Sequence, residues 1–236
     1  MTVKFHNKEG FTLAELLVAV AIAGIVMAGV YSAYSSQQRS YIAQEQVAAV
    51  QQNLRVAMYF MEREIRMAGC DPKGSAGAGI QTASPDSIRI TMDITGGETD
   101  GLDNDGDSDI DEADEAGFGD GDTNDVNEDV TYSLYTSGGI QKLGRKKPST
   151  NNQPVAENID SLNLVYLDKD ENPTLTLAEI RSVQITLVAR TARGDRGFKN
   201  TTVYTNQQGD QVFVSPGDNF RRKRLTTQVN CRNLAF

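Results

Sequence analysis

The acidic side chains between Glu98 and Asp129, here called the acidic insert, are the residues of this 236-residue chain whose types and spacing most favour chemistry. The insert holds fifteen Asp and Glu residues and no Lys or Arg, whereas the rest of the chain has 23 basic and 17 acidic residues. The net charge of −9 is therefore a local property. Crowded carboxylates repel one another at short range unless a counter-ion separates them, so we expect a bound cation.

Aspartates recur in the insert at the spacing of an EF-hand-type calcium loop. Counted from Asp103, acids occupy positions 1, 3, 5, 9 and 12, and the apolar Ile110 is at position 8. Ca²⁺ accepts six to eight oxygen ligands, which one turn of such a chain can supply. The predicted cofactor is Ca²⁺, and its predicted ligands are Asp103, Asp105, Asp107, Asp109, Asp111 and Asp114.

Two positions depart from that pattern, because Ser108 replaces the usual turn glycine and Asp114 replaces the usual bidentate glutamate. The alternative is a solvated, disordered acidic loop, which is the common state of a charge run. A second and less regular acidic group either completes this site or holds another ion; it comprises Asp120, Asp122, Asn124, Asp125, Glu128 and Asp129.

The N-terminal segment of the chain has an unusual sequence. Gly10-Phe11-Thr12-Leu13-Ala14-Glu15 precedes an apolar run from Leu16 to Tyr31, and Glu15 is the one charge between Phe11 and Tyr31. As a helix rising about 1.5 Å per residue, this stretch spans roughly 30 Å, the thickness of the bilayer core. A carboxylate in such a segment is costly, which indicates a function.

This N-terminus closely resembles the class III signal of type IV pilins and type II secretion pseudopilins. The resemblance implies cleavage after Gly10, methylation of the new N-terminal Phe11, and a role for Glu15 in assembly. An ordinary secretory signal, cut after Ala21 or Ala23, and a plain membrane anchor are the alternatives. Neither of them explains Glu15. The single histidine, His6, lies in the leader, so a histidine-dependent active site is excluded for the mature chain.

A long helix is predicted to continue beyond the membrane segment. Gly69 and Pro72 are suitable helix-terminating residues. The buried stripe of its second half is predicted at Val47, Val50, Leu54, Met58, Met61, Ile65 and Ala68. The domain boundaries follow: a leader at 1–10, a membrane or filament-core helix at 11–34, an amphipathic helix at 35–69, and a globular domain at 70–236 that contains the acidic insert 98–129.

Alternating apolar residues after the helix predict antiparallel strands with one face against it, and hence an α+β fold. The predicted strands are Ser87–Ile94, Val130–Thr136, Ile159–Leu167, Glu179–Thr191, Thr201–Thr205, Gln211–Val214 and Leu225–Arg232. The stretches at 157–162, 180–183, 222–227 and 232–234 are similar to the PilW family of minor pilins. That likeness implies a type IV pilin-like fold with a long N-terminal helix on an antiparallel sheet.

The same resemblance implies a structural subunit that helps to initiate a type IV pilus and is a substrate of an enzyme, not an enzyme itself. The implied partners are major and minor pilins, the prepilin peptidase/N-methyltransferase, the inner-membrane assembly platform and a tip adhesin. The chain is expected in the bacterial inner membrane with a periplasmic domain, and then in the pilus. Lys4 and Lys8 in the leader are expected to stay cytoplasmic.

Two other functions remain open. A type II secretion pseudopilin of the GspJ kind shares the leader and the fold, and an adhesin or DNA-binding module could use the helix as an anchor. The basic runs 145–147 and 221–224 would serve nucleic-acid binding. We favour the interpretation that they blunt a strand edge with charge.

Two cysteines, Cys70 and Cys231, lie far apart in sequence and lack a metal-binding spacing. An exported domain enters an oxidising compartment, where disulfides persist. Cys70 follows the predicted helix and Cys231 lies in the last predicted strand. The sequence therefore predicts a bond between them, with two separate buried thiols as the alternative.

Overall fold

The computed structural model describes residues 10–234, so the predicted leader lies outside the described residues except for Gly10. The chain divides into two compact units between Glu45 and Gln46. One unbroken α-helix, α1 (Leu13–Met67), provides residues to both units. The predicted long helix is therefore present.

Thr12 and Glu15 start this helix with a capping box. The Glu15 amide donates to Thr12 Oγ1 at 3.3 Å, and the Thr12 amide donates to Glu15 Oε2 at 2.9 Å. The Thr12 hydroxyl also donates to Glu15 Oε2, at 2.8 Å. Such a pair satisfies two backbone donors that no helical carbonyl can reach.

The first half of α1 is exposed throughout. Every residue from Gly10 to Tyr34 is exposed to solvent. Within the described residues, α1 is the one helix long and apolar enough to cross a membrane, with a mean hydropathy of 2.4 in its most apolar window. A stretch this apolar is unstable in water when, as among residues 10–234, no other side chain covers it.

The second half of α1 is amphipathic, as its sequence predicts. Its buried residues are Val50, Leu54, Ala57, Met58, Met61 and Ile65, which repeat every three or four positions. Ala57 was not predicted, and Val47, which was predicted to be buried, is half-buried. The helix ends before Gly69, whose φ of +79° suits glycine. A Cβ there would lie 2.4 Å from Leu234 Cδ2, so any other residue would also displace the end of that side chain.

Antiparallel strands make up the rest of the fold. A five-stranded sheet has the order β1-β2-β3-β4-β5, a three-stranded sheet has the order β10-β7-β6, and β8 pairs with β9. The strands are β1 (Ile80–Ser84), β2 (Ser87–Thr91), β3 (Asp129–Ser137), β4 (Ile140–Lys146), β5 (Gln153–Glu157), β6 (Ile159–Leu167), β7 (Ser182–Arg190), β8 (Val203–Thr205), β9 (Gln211–Val214) and β10 (Arg222–Asn230). The α+β prediction is confirmed.

Three strands of the structure, β1, β4 and β5, were not among the predicted strands. Strand β2 is also shorter than predicted, since it ends at Thr91 where the chain turns into the insert. The expectation of one buried face is wrong for β7, because its residues 182–189 are all buried. Its second face carries Gln184, which accepts a hydrogen bond from Gln208 in the turn between β8 and β9.

The acidic insert lies between two strands that pair directly. Thr91 at the end of β2 is opposite Asp129 at the start of β3. The two ends of the connection 92–128 are therefore held together by the sheet, and the insert does not interrupt the ladder.

Candidate functional site

The predicted cleavage site and Glu15 lie at the exposed start of α1. Gly10 has no atom of another residue within 4 Å of an added Cβ, and Phe11 is 90% exposed. The Glu15 carboxylate is hydrogen-bonded to Thr12 alone among the described residues. The apolar side chains on either side of it are exposed as well. A carboxylate is thus displayed on an apolar helix beside an accessible Gly-Phe bond.

Residues 5–31 match the family model of the prokaryotic N-terminal methylation motif. The chain therefore carries a prokaryotic N-terminal methylation motif. The match includes the Gly10–Phe11 junction and Glu15 and confirms the predicted class of N-terminus. It covers only this segment and does not distinguish one pilin family from another.

Among solved structures, the type IV-like pilin TTHA1219 from Thermus thermophilus is similar to this chain. The two are 14% identical, the alignment covers 78% of this chain and 98% of that chain, and the TM-score is 0.44. No curated protein matches the chain.

The predicted calcium ligands are gathered in two groups instead of one. One carboxylate oxygen from each of Asp103, Asp105 and Glu115 lies within 4.8 Å of the other two. Glu115 is fully buried and accepts a hydrogen bond from the Asn104 amide. It stands one position beyond the twelfth residue of the loop, so the EF-hand spacing did not identify it.

The second group joins Asp107 and Asp109 to Glu112, with one oxygen of each within 4.8 Å of the others. Glu112 also forms a capping box with Glu115 at the start of the 3-10 helix Ala113–Gly117. The usual sequence signal of such a box begins with Ser or Thr, so Glu112 and Glu115 do not match it.

The two remaining predicted ligands, Asp111 and Asp114, belong to neither group within the described residues. Asp111 Oδ1 accepts a hydrogen bond from the Gly101 amide at 2.7 Å. The hydrogen bond from the Asp107 amide lowers the pKa of Asp105, but desolvation and the carboxylates of Asp107, Asp114 and Asp103 together raise this pKa by more.

Local turns shape the loop as its spacing predicts. Asp103 accepts hydrogen bonds from the Gly106 amide at 2.6 Å and the Ser108 amide at 3.0 Å. Ser108 has a φ of +87°, so it adopts the left-handed conformation that glycine would take there. The departure from the pattern at this position changes the residue but not the turn. Calcium binding by the loop stays a prediction.

Two residues of the less regular acidic group, Glu128 and Asp129, form contacts that stabilise the fold. Glu128 is fully buried, and its Oε1 accepts hydrogen bonds from the Ile94 and Thr95 amides at 2.7 and 2.8 Å. Asp129 pairs with Arg89, with 2.5 Å between Oδ2 and Nη2. Glu128 therefore joins the end of the insert to its beginning.

Two of the four basic residues in the run 221–224 are paired with neighbouring acids. The Arg222 side chain is 1% exposed and pairs with Asp160 and Asp218, each at 2.6 Å. Arg221 pairs with Asp195 at 2.7 Å. Since β10 lies at the edge of its sheet, this arrangement favours the strand-edge interpretation over a free surface for nucleic acid.

The predicted disulfide is absent from the structure, in which Cys70 is a half-buried and Cys231 a buried free thiol. Both pack into one core, and Leu234, close to Cys231 in the chain, contacts Gly69 beside Cys70. Burial raises the pKa of Cys231 to about 12. Burial and the carboxylates of Asp93 and Asp71 raise the pKa of Cys70. Both are therefore protonated at neutral pH, and the bond stays a prediction for the exported chain.

Proposed function

We propose that the mature chain is a minor pilin of a type IV pilus, similar to the PilW family, that helps to initiate the filament. The observation that supports this most is the exposed apolar helix with Glu15 inside the prepilin methylation motif. The geometry needs a partner, because an exposed apolar helix is stable only in lipid or against other helices. Bundled subunits would supply such neighbours.

Hydrolysis of the Gly10–Phe11 bond would release the leader and leave a new ammonium group on Phe11. Methylation of that nitrogen retains its positive charge at neutral pH. A buried carboxylate is costly without a partner, so Glu15 in a helix bundle requires a cation. The ammonium of Phe11 on an adjacent subunit would supply it and set the register of the two helices. Glu15 would then exchange its capping bonds with Thr12 for this contact.

The expected partners follow from that role. They are other major and minor pilins, the prepilin peptidase/N-methyltransferase, the inner-membrane assembly platform and a tip adhesin. The chain is expected to span the inner membrane once, with its globular domain in the periplasm before assembly. The chain would act as a structural subunit without catalysing a reaction.

Mass spectrometry of the mature chain tests the processing step. We expect an N-terminal methylated Phe11. An N-terminus after Ala21 or Ala23 would contradict the proposal, because the apolar helix would then be lost.

The substitution Glu15→Ala tests the assembly step. It removes the carboxylate without shortening the apolar helix, so membrane insertion should persist while incorporation into filaments falls sharply. Glu45→Ala is the matched control, because it removes an exposed carboxylate from the same helix outside the apolar segment. Equal incorporation of both variants and the unmodified chain would show that Glu15 has no role in assembly. Cross-linking in intact cells separates a pilus from a type II secretion system by the subunits it captures.

A further inference from the structure

The basic run 145–147 divides between the two faces of the five-stranded sheet. Arg145 lies on the face packed against α1, where it pairs with Glu64. Lys146, the last residue of β4, is exposed on the opposite face. Since β4 lies between β3 and β5, the strand-edge interpretation does not apply to this run. Lys146 and Lys147 therefore need another explanation.

A row of three side chains crosses the outer face of the sheet at Lys146. Arg89 on β2 is opposite Thr131 on β3, and Thr131 is opposite Lys146 on β4. Because neighbouring strands are about 4.8 Å apart, the backbones of Arg89 and Lys146 are separated by roughly 10 Å, with the short Thr131 side chain between them. In the next row, Ser133 is opposite Gly144, which has no side chain. Small residues thus form a floor between two long cationic side chains.

The turn after β4 closes this surface into a groove of about 400 Å³. In a continued strand, the side chain of Lys147 would point to the other face from that of Lys146. Instead, the Lys147 amide donates to Thr150 Oγ1 at 3.2 Å, and the turn places Lys147 in the wall of the same groove. Neither lysine forms an ion pair with an acid of residues 10–234. Two cations on one wall repel each other unless an anion lies beside them.

The groove also contains hydrogen-bond acceptors. Asn152 lines it next to Gly144, and its Oδ1 is buried without a hydrogen-bond partner among the described residues. Asp129 lines it as well and accepts hydrogen bonds from Arg89 Nε at 2.9 Å and Nη2 at 2.5 Å. Each carboxylate oxygen can accept a further bond, and the guanidinium keeps other N–H groups for a ligand. A ligand that satisfies the groove must therefore provide both an oxyanion and hydroxyl donors.

We propose that this groove binds an acidic sugar, meaning a sugar that bears a carboxylate or a sulfate group. The oxyanion accepts charge-assisted hydrogen bonds from Lys146, Lys147 and Arg89. The hydroxyl groups of the sugar donate to Asn152 Oδ1 and to the Asp129 carboxylate. Both kinds of acidic sugar carry this combination of groups.

Other anions fit the groove less well. Within the described residues, none of the side chains that line it is aromatic, so it offers no platform on which the bases of a nucleic acid could stack. The Asp129 carboxylate also repels a continuous row of phosphates. A sulfate ion has no hydroxyl donor for Asn152 Oδ1. Sugar binding would give the chain a function at its surface besides assembly, on the face of the sheet that α1 leaves free.

The test uses the full chain in detergent micelles and isothermal titration calorimetry. The probes are a trisaccharide with a uronic acid, a trisaccharide with a sulfate group, their uncharged counterpart, sodium sulfate and a short single-stranded DNA. We expect at least one acidic trisaccharide to bind at least about 10-fold more tightly than the uncharged trisaccharide and sodium sulfate. The tighter of the two acidic trisaccharides identifies the preferred anion.

The double variant Lys146→Gln with Lys147→Gln should weaken that binding by at least about 10-fold, because it removes both ammonium groups. Lys199→Gln with Lys223→Gln is the matched control, since it removes two exposed lysines outside the groove and should leave the affinity unchanged. Asn152→Ala should weaken the binding of the acidic trisaccharide but not that of sodium sulfate. The proposal is overturned if neither acidic trisaccharide binds at millimolar concentration, or if sodium sulfate or DNA binds as tightly as they do. It is also overturned if the groove variants bind as tightly as the control variant.

Discussion

Glu15 and Glu64 lie on the same helix, but their hydrogen-bond partners come from different sources. Glu64 accepts a hydrogen bond from the Tyr132 hydroxyl at 2.7 Å and pairs with Arg145, with 2.9 Å between Oε1 and Nη2. Glu15 is bonded only to Thr12, three residues away. Within the described residues, the second half of α1 thus finds its partners in the chain, while the first half does not. The two carboxylates thus show which half of the helix is bonded to the domain and which half is not.

The apolar side chains of α1 divide in the same way. Met61 is fully buried, whereas Leu17 is 61% exposed. The free energy that holds α1 in the domain therefore comes from its last turns. Variants of either half should separate domain stability from assembly.

The largest effect is expected at the cysteines, which would join the segment after α1 to Cys231; this residue follows β10 directly and was predicted to lie within the last strand. A Cys70–Cys231 bond would close a loop of about 160 residues and contribute about 4–5 kcal/mol to the free energy of unfolding in the chain-entropy model. Chain isolated from the periplasm should contain no free thiol until a reductant is added. Quantitative thiol labelling of the unfolded, unreduced chain measures this. Two labelled thiols would rule the bond out.

Met61→Ala should lower the free energy of unfolding by about 3–5 kcal/mol, because it leaves a cavity in the core. Leu17→Ala should change it by less than about 0.5 kcal/mol, since the side chain is 61% exposed. Urea unfolding of both variants in the same detergent measures the difference. If both variants lost the same free energy of unfolding, the two halves of α1 would contribute equally to domain stability, contrary to this prediction.

Glu64→Ala should cost about 2–4 kcal/mol, because it leaves Arg145, 11% exposed, without its counter-charge. Burial and the Glu64 carboxylate raise the pKa of Tyr132, so that hydroxyl remains a donor and would also lose its acceptor. The double variant with Arg145→Ala should cost less than the sum of the single variants. Strict additivity in this cycle would mean that the pair contributes nothing.

The smallest effect is expected from acid titration of Asp218. The Arg222 guanidinium lowers the pKa of Asp218 below its ordinary value. The resulting stabilisation is therefore complete above about pH 4 and is lost as the pH falls through the lower pKa of the folded state. Asp218→Asn should cost about 1–2 kcal/mol at pH 7 and nothing once Asp218 is protonated. A cost that is the same at pH 7 and pH 2 would contradict the assignment.

Residues that repeat regularly made much of this fold predictable. The stripe of α1, the end of the helix at Gly69 and the positions of β2, β3 and β6–β10 follow from apolar periodicity and terminating residues. Strand β4 was missed because Gly144 interrupts its pattern; the Tyr135 ring lies 2.8 Å from where a Cβ would be. Strand β5 contains Pro154, which is tolerated because β5 lies at the edge of its sheet.

The acidic insert was predictable in its turns but not in its long-range contacts. The EF-hand-type spacing places a sharp turn at position 6, and Ser108 adopts that turn although it is not glycine. No local pattern could show that Asp93 meets Gly121 or that Glu115 is buried beside Asp103, because these contacts arise only when the insert folds back on the sheet. Contacts between residues far apart in sequence leave no periodic pattern from which they could be predicted.

The pairing of Thr91 with Asp129 has a practical consequence for engineering. Because the sheet already holds these ends together, the length of the chain between them adds little conformational cost, about 0.6 kcal/mol for each doubling of a flexible loop. Residues 95–127 could then be exchanged for a short turn or a foreign peptide while Met92 keeps its place in the core. The junction between β2 and β3 is therefore a natural position at which to display an epitope on the domain.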